Sequence, residues 1–338
     1  MLITYHPAWK LSINQQSSII LERLPYLDGW RGVAILLVLI GHFCPVQGMN
    51  LGALGVELFF VLSGRLMAEI LFVQKIPIKQ FYKHRLSRTY PGLLAFVIIT
   101  FFALYNTKMQ FGIQSVLASL TFTFNYYPVM PEFSRPAVLQ HLWSLCVEEH
   151  SYLILGAIAY WQRKKAFSPA PIIGAIAVLS MLDGAVSMYV FNISYIDTYY
   201  RTDAHMSSIF IACALYLKRG NSSREWLPSL AMGVFFSSFI MFLGPFQHTC
   251  GTLLLAYTVC NLEHAPTMII KFLSGRILRF IGLISYSLYL WQQLFFKFDI
   301  TTHHQHPWAL LVLAVISGLA GFYIIERPSR KWLNKHWN

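Results

Sequence analysis

The sequence predicts an all-α, polytopic membrane protein with about ten transmembrane helices and both termini in the cytoplasm. Three observations predict it. Hydrophobic residues make up 56% of the 338-residue chain and charged residues 12%, about half the charged share of a soluble domain, and the mean hydropathy is positive. The apolar residues fall in runs long enough to cross a bilayer, bounded by charge, Pro or Gly. Twenty-one of the 26 Lys and Arg residues lie on one side of the ten-span arrangement, the bias of cytoplasmic loops. Length alone would suggest two soluble domains. The net charge of +12 raises the nucleic-acid class, but the basic residues sit between apolar segments instead of on one surface, so no nucleic-acid partner is expected.

Taken in order, spans are predicted over residues 30–47, 53–74, 91–107, 142–161, 169–190, 205–217, 227–244, 246–262, 280–298 and 308–325. Residues 1–26 read as a cytoplasmic lead-in, and they lack the compact apolar core and small-residue cleavage site of a removed leader. The apolar piece Ile113–Tyr127 is placed as a short helix on the outer face, because a crossing there would carry Arg163, Lys164 and Lys165 outside. Lys108, Arg135, Arg201 and Lys297 then lie outside, and Arg65 lies within a span. Residues 327–338 form a basic cytoplasmic tail. No repeat, low-complexity tract or appended soluble domain is expected. Cys44, Cys146, Cys213, Cys250 and Cys260 show no CxxC spacing, which argues against a disulfide framework or zinc site. The outer His303, His304 and His306 have no flanking acid or Cys, so no metal is expected.

The chain is organised around Leu27–Cys44, LDGWRGVAILLVLIGHFC. Arg31 and His42 are eleven residues apart, three helical turns and about 16 Å of rise, so they share one stripe of an apolar helix. The second span carries Glu57, Arg65 and Glu69. The four-residue spacing pairs Arg65 with Glu69, whereas Glu57 has no local partner and is expected near the outer end, facing water or substrate. The basic run from Lys75 to Arg88 is a topology anchor or a phosphate clamp; Arg85 and Arg88, three apart, are neighbours on a helix. In the fourth span His141, Ser144 and Glu148 share a face and Cys146 points away. A carboxylate buried in a span is costly, which makes Glu148 a functional candidate with His42 as its expected partner.

Six segments in order, LDGWRGVAILLVLIGHF, GVELFFVLSG, FYKHRLSRTYP, LWSLCVEE, IGLISYSLYLW and IIERP, resemble the acyltransferase 3 family of integral membrane O-acyltransferases, which places residues 27–326 in one acyltransferase-like domain. The resemblance implies a bacterial inner-membrane enzyme that moves an acyl group, usually acetyl, from cytosolic acyl-CoA to hydroxyls of a surface glycan such as lipopolysaccharide, or of a lipid-linked glycan. It needs no bound cofactor, acetyl-CoA being a substrate. The family's Arg-to-His helix falls on Arg31 and His42, its arginine pair on Arg85 and Arg88, and its WSLxVE acid on Glu148. His42 would take the proton of the attacking hydroxyl, or form an acyl-His42 intermediate, with Glu148 holding its tautomer. Arg31 would bind pyrophosphate, polarise the thioester or anchor the helix. Arg85, Arg88 and Lys83 would hold the CoA phosphates, and Glu57, Trp143, Ser144, Asp203 and Tyr286 would line the acceptor path. Three positions depart from the family: Gln292 stands where SYSLYLW is commonly followed by His, leaving only an amide hydrogen bond; His205 replaces the Arg of a Thr-Asp-x-Arg motif; and Arg65 stands at a typically aromatic or aliphatic site, as a specificity feature or as the partner of Glu69. A proton-coupled transporter of an anionic or lipid-linked substrate is the alternative, with Arg31, His42 and Glu148 lining its path. The absence of an internal repeat weighs against it. Oligomeric state is not legible.

Overall fold

A computed structural model describes residues 24–126, 136–218, 225–239, 244, 247–301 and 306–337. Among them the chain is helical, its only extended pairing an isolated bridge between Met49 and Phe239. Most of the lead-in, His303 and His304, and part of the turn between the seventh and eighth predicted spans lie outside the described residues.

Helix α1 runs Pro25–Phe43, with Pro25 in the first turn, where no N–H partner is lost. Helix α2, Leu51–Met67, is capped by Asn50, whose side chain accepts from the Ala53 N–H at 2.9 Å. It continues as a π-helical turn, Ala68–Val73. The long helices α3 (Ile78–Ala103), α5 (Leu142–Lys164) and α6 (Pro169–Tyr189) follow, with the eight-residue α4 (Ile113–Leu120) between the first two. Short helices α7 (Tyr195–Tyr200) and α8 (Thr202–His205) lead into α9 (Ser207–Lys218). Then come α10 (Trp226–Ser238), α11 (Thr252–Cys260), α12 (Thr267–Leu273), α13 (Arg276–Thr301) and α14 (Pro307–Ala320). A second π-helical turn, Gly321–Glu326, joins α14 to α15 (Arg327–His336). By length and composition, four helical stretches can cross a membrane: Pro25–Phe43, Ile78–Ala103, Pro169–Tyr189 and Pro307–His336.

The centre of the bundle is α1, packed between α2 and α13; α2 also meets α9, and α13 meets α14. Small residues set the spacing. A Cβ on Gly55 of α2 would stand 2.6 Å from the Ala34 carbonyl of α1, closer than carbon and oxygen pack. Ala34, Ile35 and Val38 are fully buried in the resulting core with Val61, Leu62 and Ile209.

Three expectations change here. The third span was expected to start at residue 91, but α3 begins at Ile78 and passes through Pro91. Proline's fixed φ suits a helix, at the cost of the N–H that would bond the Ser87 carbonyl, so Lys79 to Arg88 ride on the same rigid element as the apolar segment. The Arg65–Glu69 pair does not form. The wider π turn rotates Glu69 away from the face of Arg65, and Glu69 accepts from Gln74 Nε2 at 2.9 Å and the Tyr216 hydroxyl at 2.6 Å. Arg65 instead lies 3.7 Å from Glu263 and over the rings of Tyr26 and Tyr216. Glu57 does not face water: it is 1% exposed and accepts from the hydroxyls of Ser208, at 2.6 Å, and Thr252. His205 lies 3.3 Å from its other oxygen. The expected short helix after residue 113 is α4, too short to span a bilayer at about 1.5 Å per residue.

Candidate active site

Two cavities lie along α1. The larger, of about 420 Å³, is walled mainly by apolar side chains such as Phe59, Leu66, Ile70 and Phe81, and it receives the charged groups Arg31, Arg85, Arg88 and Glu148. The smaller, of about 290 Å³, is lined by His42, Gly52, Trp143, Tyr199, Tyr200, Phe296 and Lys297 among others. Val56 and Tyr289 border both. Arg31 thus serves one chamber and His42 the other, as three helical turns between them require.

In the larger cavity the cationic helix α3 meets the acidic second turn of α5. Arg85 Nη2 is 2.7 Å from Glu148 Oε2, and Arg85 Nε donates to Glu149 Oε1 at 2.8 Å. Its guanidinium lies 4.1 Å from the Tyr152 ring centre. The other Glu148 oxygen accepts from Ser63 on α2 and from Tyr152, four residues on along α5. One guanidinium between two carboxylates, with hydroxyls filling the remaining lone pairs, is the arrangement that lets such charges sit inside a bundle. Arg85 has therefore spent its fork. Arg88 makes no ion pair among the described residues, and Arg31 has only Asp28, at 3.3 Å.

In the smaller cavity His42 Nδ1 is 2.8 Å from Gln292 Oε1. The Gln292 NH₂ faces two oxygens, the Tyr289 carbonyl at 3.5 Å and Gln293 Oε1 at 3.4 Å, so its carbonyl must face the imidazole. Nδ1 then carries the hydrogen and Nε2 keeps its lone pair. Phe296 stacks on His42 with ring centres 4.0 Å apart and planes 3° from parallel. Gly52 leaves the other edge open: a Cβ there would stand 3.5 Å from Nε2 and Cδ2. At the shared wall the Tyr289 hydroxyl lies 2.7 Å from Ser144 Oγ and donates to the His141 carbonyl at 3.0 Å.

The structure therefore divides the predicted site residues. Arg31, Arg85, Arg88, Ser144, Glu148 and Tyr286 line the larger cavity, and His42 and Trp143 the smaller. The expected His42–Glu148 contact is absent, because the two face different chambers and each has other partners. Lys83 lies in a separate surface hollow with Lys79 and His84, its ammonium donating to the Trp337 carbonyl. Glu57 lines neither cavity, and Asp203 is held by Arg201 and by the Tyr126 hydroxyl, at 2.9 Å. Ser63, Glu149, Tyr152 and Tyr289 were not foreseen. The Glu148–Tyr152 spacing was a usable signal for one of them and Glu149 is its neighbour on α5, whereas Ser63 and Tyr289 arrive from α2 and α13. No group of three His, Cys, Asp or Glu among the described residues is placed to hold a metal.

Comparison with known proteins agrees with the resemblance read from the sequence. The chain is 26% identical over 348 residues to the O-acetyltransferase OatA of Staphylococcus aureus, covering 91% of this chain and 57% of that protein. It is 27% identical over 305 residues to the peptidoglycan O-acetyltransferase OatA of Listeria monocytogenes, with 79% and 48% covered. Against the putative peptidoglycan O-acetyltransferase YrhL of Bacillus subtilis the identity is 29% over 310 residues, with the same shares. The chain thus spans about half the length of these curated relatives. No solved structure gives a significant match. The family model described as an acyltransferase domain matches residues 24–327, and over that length the chain belongs to the acyltransferase 3 family.

Proposed function

We propose that the protein is a ten-span O-acetyltransferase of a bacterial cytoplasmic membrane, passing an acetyl group from cytosolic acetyl-CoA to a hydroxyl of a glycan outside. The observation that carries this reading is the pair of chambers on α1, one basic and one aromatic, meeting at Val56 and Tyr289. The bias of Lys and Arg toward the Arg31 side supports placing that side in the cytoplasm. The names of the relatives point to peptidoglycan over lipopolysaccharide as the acceptor.

In this reading Arg88 and Arg31, whose charges are less spent than that of Arg85, face the CoA phosphates. The apolar walls of the larger cavity receive the pantetheine arm, and the thioester reaches the shared wall. Arg85 and Glu148 brace α3 against α5 so that this chamber keeps its shape. The acceptor sugar enters the aromatic chamber. His42 Nε2 takes the hydroxyl proton as the oxygen attacks the thioester carbonyl carbon; the C–S bond breaks, and the imidazolium returns the proton to the departing thiolate. Gln292 fixes the tautomer that this step needs.

The test is to reconstitute the purified protein in proteoliposomes with labelled acetyl-CoA on the Arg31 side and peptidoglycan strands on the other. Label in the glycan that mild alkali releases is the expected result; hydrolysis without glycan labelling contradicts the reading.

A further inference from the structure

The aromatic chamber holds a cation that the transfer step does not use. Lys297, half-buried near the end of α13, lines the cavity, and no Asp or Glu does among the described residues. Its ammonium forms no ion pair there; its contact is the face of Phe296, 5.0 Å away. Arg201, by contrast, is neutralised by Asp183 at 3.0 Å and by Asp203. A partly desolvated ammonium with no counter-charge is costly until an anion supplies one. Around it stand aromatic side chains, with Trp143 stacked on Tyr200 at 5.2 Å and tilted against Tyr199 at 4.7 Å, an apolar wall for a bound sugar.

We propose that Lys297 is the carboxylate-binding residue of the acceptor site, and that the acceptor is an anionic glycan whose carboxylate lies within one sugar residue of the hydroxyl acetylated. This rests on the acceptor reading above and adds the charge of the substrate. Phe296 stacks on His42 and its ring also contacts the Lys297 ammonium, so the ammonium is placed to fix the sugar beside the base.

The experiment compares peptidoglycan strands with intact carboxylates and the same strands with carboxylates capped as methylamides, for the wild type, Lys297→Gln, Lys297→Arg and Lys297→Glu. With the wild type, capping should raise the acceptor KM about tenfold, the worth of one charge-assisted hydrogen bond, and leave kcat nearly unchanged. Lys297→Gln should show the raised KM on both strands, Lys297→Arg should restore the preference, and Lys297→Glu should favour the capped strands. Equal KM for both strands with the wild type overturns the proposal while leaving the acetyltransferase reading intact. So does a Lys297→Gln enzyme that loses kcat yet still discriminates, since Lys297 would then act only by positioning Phe296. If the wild type acetylates neither strand, the acceptor reading fails and takes this proposal with it.

Discussion

The side-chain oxygen of Gln292 lies 2.8 Å from Nδ1 of His42, joining α13 to α1 across 250 positions of sequence. The bond assigns the imidazole its tautomer and aims the basic nitrogen at the aromatic chamber. Gln292→Leu, close in volume and with nothing to accept the Nδ1 hydrogen, should lower kcat by about tenfold, the worth of one neutral hydrogen bond. Gln292→Glu keeps an acceptor and stabilises the imidazolium, so it should retain activity. Steady-state kinetics on the two variants checks both directions.

Gly52 leaves the open side of that ring clear. In Gly52→Ala the new methyl would lie 3.5 Å from Nε2, in the space an acceptor hydroxyl must occupy. Alanine is the better helix former by roughly 1 kcal/mol, so the folded protein should be no less stable. Acceptor KM should rise and the thermal midpoint hold or increase; a fall in both stability and activity would mean that the glycine is needed only for packing.

Arg85, Glu148 and Glu149 form one buried unit. Removing Arg85 strands two carboxylates, at a cost of about 3–5 kcal/mol, whereas removing Glu148 leaves Arg85 paired with Glu149 and costs less. Arg85→Met and Glu148→Gln should each lower the thermal midpoint in detergent, and the double variant should lose less than the sum of the singles. Strict additivity would show that the contact contributes no coupling.

Arg88 lines the same cavity without an ion pair among the described residues. Arg88→Ala should raise the acetyl-CoA KM by about tenfold, as expected for one lost charge-assisted contact to phosphate. Its kcat should change little, and its donor binding should depend less on salt. The comparison is donor KM at low and high ionic strength.

Much of this was legible in the sequence, and what was not has specific causes. The long helices and the Arg31–His42 stripe follow from hydropathy and helical period, local properties of the chain. The pairing of Glu148 with Arg85 instead of His42 is a fact of the third dimension: two acids and one base on different helices can be matched several ways, and only the packing of α3 against α5 selects one. The Arg65–Glu69 pair failed because a π-helical turn begins between those residues, and the i, i+4 rule assumes an unbroken α-helix. Gln292 was read as an amide in place of an imidazole, with one hydrogen bond left to make; its partner proved to be the candidate base itself. Lys297 looked like one more outer cation until the lining of its cavity showed no acid among the described residues.

The central claim is that His42 removes the acceptor proton while the donor is held in the other chamber. The most direct measurement is acetyl transfer by His42→Ala, alongside acetyl-CoA binding by the same preparation. Binding should stay within about twofold of the wild type, because the donor chamber does not include this residue, while ester formation on the glycan falls by about 10²–10⁴-fold, the range general-base catalysis supplies. A folded His42→Ala protein that binds acetyl-CoA and acetylates the glycan at the wild-type rate would contradict the account.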